Sequence, residues 1–263
     1  MAIIVFQHHD IGVPGRLGLT LRDHGFKLRV VRPDWGEALP QDYDDVEGVV
    51  SMGGPQNVDD APGKWPWMAG EMAYLKGAHE RQLPVIGVCL GHQMLAAALG
   101  GEVGPIDPGQ GPEMGFLPVE IGVAGHTDAV LAGIAWRSMQ FQSHGREVKK
   151  LPAGAVALSS SARCKVQSFR AGLRSYGFQY HFEVDRAGVE KHVRADGECM
   201  AKAGLSVEEA LRQADAHYPS FARLADRLCL NLATVLFPRV FRTHAGRDVP
   251  TGSAAIPAPL LAR

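Results

Sequence analysis

Short apolar, β-branched runs alternate with stretches of helical spacing through the first hundred residues, and this alternation limits the fold more than any other feature. Residues 2–6 (AIIVF), 27–31 (KLRVV), 46–52 (VEGVVSM) and 84–88 (PVIGV) read as strands. Between them, residues 15–25 carry Leu17, Leu19 and Leu21 before a Gly stop, and residues 66–82 place Met68, Met72 and Leu75 along one face behind a first-turn Pro. Strands that alternate with helices imply a parallel sheet covered on both faces. Beyond Gly100-Gly101 the pattern changes. Residues 116–123, 155–162, 165–172 and 175–182 are close-set strand patterns, which implies an added antiparallel section on the same sheet. Helices are expected over 185–204, over 206–218, with Ser206 and Glu209 in capping-box positions, and over 220–237. The expectation is an α/β fold, a mostly parallel central sheet flanked by helices, in one domain over residues 1–240. Residues 241–263, rich in Pro, Gly and small side chains, read as a flexible tail.

Charge and composition narrow the function classes. A formal net charge of -1 removes the electrostatic case for a general nucleic-acid binder. No apolar run approaches the roughly 20 residues that span a bilayer, and the N-terminus lacks the charged n-region of a signal peptide, so a cytoplasmic location is expected. The four cysteines, Cys89, Cys164, Cys199 and Cys229, form no CxxC pair, and neither a metal site nor a cofactor is expected. Cys164, Cys199 and Cys229 fall in strand or helix patterns and read as core.

Cys89 is different because it lies at the seam between an apolar run and a helix, flanked by Gly87 and Gly91. Small flanking residues suit a tight strand-to-helix elbow, and partial positive charge at a helix N-terminus favours a thiolate. The same string also suits a buried turn. A thiolate nucleophile needs a base, and the base an orienting group. His181 ends an alternating run, and Glu183 follows at i+2, where extended geometry points both side chains the same way. A solvated strand-end histidine is the alternative. Gly53-Gly54-Pro55 follows another strand; such glycines aim backbone N–H groups at a developing oxyanion, or form an ordinary turn. His8 and His9 lack metal-ligand spacing and read as solvated loop residues. His92 reads as structural, and Trp65 and Trp67 as anchors for the following helix.

In order, SMGGP (51–55), GVCLGHQMLAAALGG (87–101), EMGFLPV (113–119), SHGREVKKLPAGA (143–155) and YGFQYHFE (176–183) resemble the class I, triad-type glutamine amidotransferase domain. The resemblance runs from about residue 1 to about residue 185. It implies a flavodoxin-like sheet with Cys89 as nucleophile, His181 as general base and acid, and Glu183 as its orienting group. It further implies an oxyanion hole from the N–H groups of Gly54 and Leu90. Gly53, Gln93 and the Ser143-His144-Gly145 segment would contact the substrate, glutamine or a γ-glutamyl amide. The chain departs from the family twice: Phe182 stands where Pro usually follows the histidine, and Arg146 stands where an aspartate follows His-Gly.

Several functions share this pattern. One is a glutaminase that either supplies ammonia to a separate synthase subunit or acts alone, since most of the roughly 80 residues after Glu183 read as helices of the same domain. Another is a γ-glutamyl peptide or conjugate hydrolase with the same triad. A redox sensor at Cys89 would not need the His181–Glu183 pair. A degenerate scaffold that only binds partners is left open by Phe182.

Overall fold

The computed structural model describes residues 1–237. Its elements, in chain order, are β1 (Ala2–Phe6), α1 (Gly15–Asp23), β2 (Leu28–Val31), β3 (Val46–Ser51), α2 (Met68–Glu80), β4 (Val85–Val88), α3 (Leu90–Ala98), β5 (Glu102–Pro105), β6 (Glu113–Ile121), α4 (Val123–His126), β7 (Arg137–His144), β8 (Arg146–Lys150), β9 (Val156–Ser160), β10 (Ser168–Ala171), β11 (Ser175–Phe178), α5 (Arg186–Ala195), α6 (Gly197–Lys202) and α7 (Val207–Leu236). Nine strands form one sheet in the order β2-β1-β3-β4-β11-β10-β9-β6-β7, and β5 pairs with β8 in a small separate ribbon. From β2 to β11 neighbours run parallel; from β11 to β7 they run antiparallel. Both halves of the expected architecture are present.

The sheet buries apolar side chains on both faces. Leu17 and Leu21 of α1, Val189 of α5 and Leu228 and Leu232 of α7 cover one face. Leu75 of α2 and Met94 and Leu95 of α3 cover the other. The central strands are therefore apolar on both sides, as in β4, where every residue is buried. Among the described residues no helix is long and apolar enough to cross a membrane.

Several elements differ from expectation. The pattern at 206–218 and 220–237 is one helix, α7, which runs through Pro219. The expected helix 185–204 is two, α5 and α6, broken at Asp196. Strands β5, β7 and β8 lie where no strand was expected; β5 and β8 pair only with each other, and β7 carries polar side chains at Gln140, Gln142 and Ser143. Strand β11 stops at Phe178, so His181 stands beyond the strand rather than at its last position. The tail expected over 241–263 lies outside the described residues.

Register decides where the chemistry sits. Ser51 pairs with Gly87, and Val88 with Phe178. The chain thus leaves β1, β3, β4 and β11 at one edge, outside the carboxyl ends of the parallel strands, where ligands bind in open α/β sheets.

Candidate active site

Cys89 joins β4 to α3 at φ 51° and ψ -104°, in the region that favours glycine. Such backbone costs about 1–3 kcal/mol and persists only where the surroundings enforce it. Here they do. The Cys89 N–H donates to the Phe178 carbonyl at 2.8 Å, and the Gly91 N–H to the Met52 carbonyl at 3.1 Å. A Cβ on Gly91 would collide with the Ser51 carbonyl oxygen, so only glycine lets α3 start this close to β3. The turn is the tight elbow that the flanking glycines implied.

His181 and Glu183 meet Cys89 from the far side of β4. The His181 Nδ1 and a Glu183 Oε1 are 2.8 Å apart, and both side chains are buried. Burial alone would push the imidazolium down. The neighbouring charges of Glu183 and Cys89, with the hydrogen bond to Glu183, overcome burial and hold the His181 pKa well above its ordinary value. Phe182, the departure from Pro, is fully buried against Phe178 at 5.0 Å between ring centroids. The Arg16 N–H donates to the Glu183 carbonyl at 2.8 Å. Core packing on one side and a backbone hydrogen bond on the other hold the His-x-Glu segment in place of a fixed proline φ.

Two adjoining cavities share Gly54, Pro55, Cys89, Ser143 and Asp196. His181 lines only the first, with His9, Ile11, Gly12, Gly53 and His192. Leu90, Gln93, His144, Gly145 and Arg146 line only the second. All ten residues singled out from the sequence are thus in or beside one fork, with Cys89 at its branch and Glu183 behind His181. The N–H groups of Gly54 and Leu90 donate to no protein acceptor among the described residues. Gln93 Nε2 donates to the Arg146 carbonyl at 3.2 Å and to Gln179 Oε1 at 3.1 Å. His144 is buried, 3.1 Å from Glu113 Oε2 and 2.8 Å from the Arg146 carbonyl oxygen. Arg146, the second departure, forks onto Asp59 at 2.9 and 3.1 Å, so its charge is paired at the rim.

Four residues read otherwise in the sequence take part. His8 is buried rather than solvated. Its Nε2 lies 2.9 Å from Glu71, its Nδ1 3.0 Å from the Met52 carbonyl oxygen, and its ring stacks on Trp67 at 4.9 Å. Burial lowers the His8 pKa, but Glu71 and Met52 outweigh it and raise it overall. Ser51 Oγ also donates to Glu71, at 2.7 Å, so this buried pair ties down both residues that precede Gly53. His9 lines the first cavity, and Cys199, half-buried and packed against the core, also lines the second. Asp196, at the break between α5 and α6, accepts from Ser143 Oγ at 2.6 Å and reaches both cavities. Trp65 anchors the loop before α2 through Nε1 to Asp60 at 2.8 Å, and His92, Cys164 and Cys229 are buried as expected. Among the described residues no cluster of His, Cys, Asp and Glu has the arrangement to hold a metal ion.

Comparison with known proteins identifies the family. The glutamine amidotransferase class-I family profile matches residues 12–196. A glutamine-hydrolyzing GMP synthase subunit from Archaeoglobus fulgidus is 36% identical over 174 residues, 65% of this chain and 84% of that protein. Its counterpart from Natronomonas pharaonis is 33% identical over 166 residues, 63% of this chain and 79% of that protein. A glutamine amidotransferase structure from Methylobacillus flagellatus superposes with a TM-score of 0.79 at 27% identity, over 89% of this chain and 95% of that one. One from Thermotoga maritima shares the fold, with a TM-score of 0.77 at 23% identity, over 89% of this chain and 98% of that one. The chain belongs to the class I glutamine amidotransferase family and is an enzyme of that type.

Proposed function

We propose that the protein hydrolyses the side-chain amide of glutamine through a γ-glutamyl thioester on Cys89. The observation that carries this reading is His181, held by Glu183 and lining, with Cys89, the first of two cavities that meet at Cys89. The second cavity, with Gln93 and the Ser143-His144-Gly145 backbone, takes the glutamyl part, and Gly53 borders the reacting carbon. The Cys89 thiolate attacks the amide carbon and a C–S bond forms. The Gly54 and Leu90 N–H groups donate to the developing oxyanion. His181 donates its proton to the leaving nitrogen, the C–N bond breaks and ammonia departs. Acylation removes the charge on Cys89, one of the causes that hold the His181 pKa up. The imidazole, now without its proton, then takes one from water, and glutamate leaves as the C–S bond breaks.

The relatives' description as one subunit of GMP synthase supports a separate synthase subunit that accepts the ammonia. A second reading uses the same residues on a γ-glutamyl peptide or conjugate. It draws on the His181-side cavity, which extends to His9, Ile11 and Gly12 and gives an amine larger than ammonia a place. Glutamate release from glutamine, glutathione and a γ-glutamyl amine, by wild type and Cys89→Ala, tests both. We expect release from at least glutamine by wild type and none by the variant; equal release by the two proteins overturns the reading.

A further inference from the structure

His192 stands beside the base and has no part in the chemistry above. Any role for it rests on those given to Cys89 and His181. A base that serves both half-reactions must reach the leaving nitrogen and the incoming water. His181 lines only the first cavity, so that cavity is the route by which amine leaves and water arrives. His192 enters the same cavity from α5. It is 7% exposed, and its ring centroid is 5.0 Å from that of His181. A water that donates to two imidazole nitrogens spans about 4.5 Å between them, two hydrogen bonds of about 2.8 Å meeting at the bent angle of the water, and ring centroids 5.0 Å apart allow that span.

The hydrogen bonding of His192 defines what it offers. Its Nδ1 lies 2.9 Å from the Gly188 carbonyl oxygen. A carbonyl only accepts, so Nδ1 carries the hydrogen, and in the neutral ring Nε2 is a bare acceptor. Burial, then the positive neighbour His181, push the His192 pKa down to about 4, which keeps the ring neutral near pH 7. Nε2 has no partner among the described residues, and it is not one of the unpartnered side-chain nitrogens shut off from solvent. Phe141, edge-on at 5.9 Å, packs against the ring.

We propose that His192 is a second histidine of the active site, which aims the hydrolytic water at the γ-glutamyl thioester. The water donates one O–H to His181 and the other to His192 Nε2, which turns an oxygen lone pair towards the thioester carbon. The first proton passes to His181 as the C–O bond forms; the C–S bond then breaks and the thiolate leaves. His192 keeps its hydrogen bond and gains no proton. In acylation the same Nε2 accepts an N–H of the departing amine.

The test compares His192→Phe, which keeps a ring but removes the acceptor, with His192→Gln, which restores an acceptor oxygen. Acid-quenched samples taken during turnover of glutamine are weighed as intact protein. For His192→Phe we expect deacylation slower by about 10–100-fold, accumulation of the γ-glutamyl adduct on Cys89, and kcat and KM falling together. Hydroxylamine, a stronger nucleophile, restores turnover as γ-glutamyl hydroxamate, and His192→Gln recovers part of the rate. Deacylation at the wild-type rate in His192→Phe overturns the proposal. So do acylation and deacylation slowed alike with no rescue by hydroxylamine, the mark of a merely structural role. If His192→Phe does not fold, His192→Leu against His192→Gln makes the same comparison. Glutamate release by Cys89→Ala at the wild-type rate sinks the nucleophile assignment as well; an inactive Cys89→Ala with an unchanged His192→Phe sinks only the role of His192.

Discussion

At the scale of single residues, the site depends on neighbours that reverse the effect of burial. His181 is buried, which alone would leave it uncharged, yet Glu183 and Cys89 raise its pKa. Glu183→Gln keeps the shape and removes the charge. It should lower kcat by about 10²–10⁴-fold, the range over which an orienting carboxylate acts in a triad. The alkaline limb of kcat/KM, where the imidazolium loses its proton, should also move to lower pH, as a pH–rate profile would report. Gly53 is a second sensitive point, because an added Cβ would sit 2.8 Å from His181 Cε1. Gly53→Ala should cost about 10²-fold in kcat by misplacing the base, with a thermal midpoint near that of wild type. Cys89, His181 and Glu183 were legible in the sequence because each lies within a few residues of its local signal, a glycine-flanked elbow or an i+2 pair. His8, Asp196 and His192 were not. Their partners Glu71, Ser143 and His181 are distant in sequence and come from other elements, so no local spacing announces them.

At the scale of elements, the parallel strands were legible because both their faces are buried, which leaves continuous apolar runs. Strands β7 and β8 were not, because their polar side chains serve the second cavity and the small ribbon. Helix ends were misread in two opposite ways. Pro219 suggested a stop, but α7 passes through it with the proline on the exposed side, at the loss of one hydrogen bond to the Asp215 carbonyl. Pro219→Ala restores that N–H and should stabilise the protein by about 1–2 kcal/mol, or about 2–8 °C in thermal midpoint for a chain of this size, as a melting curve would show. Asp196, by contrast, ends α5 directly before Gly197, a break that the helical spacing over 185–204 overrode. The break has a local part, Gly197, and a tertiary one: the Asp196 carboxylate turns to Ser143 at the cavity mouth.

At the scale of the whole molecule, four buried histidines shape the dependence of stability on pH. Burial pushes the pKa of His92 down to about 3 and of His192 to about 4, from the ordinary 6.5. Below pH 6.5 the unfolded chain protonates both while the folded chain does not, so stability is lost on acidification, by up to about 1.4 kcal/mol per pH unit for each. His8 and His181 are raised instead. Their contribution is complete below pH 6.5 and is lost as pH rises through their folded values. Denaturant unfolding followed across pH should therefore give a maximum near neutrality, and His8→Gln should flatten the alkaline side. The sheet order also brings together what the sequence keeps apart: Gly53-Gly54, Cys89 and His181 follow β3, β4 and β11, neighbours in space separated by up to 128 residues in the chain, from Gly53 to His181. The catalysis proposed for Cys89 depends on that convergence, and the mass of the protein quenched in acid during turnover of glutamine reads it out. We expect one γ-glutamyl group, on the peptide that contains Cys89, and no adduct and no glutamate release from Cys89→Ala. Glutamate release by Cys89→Ala at the wild-type rate would contradict this.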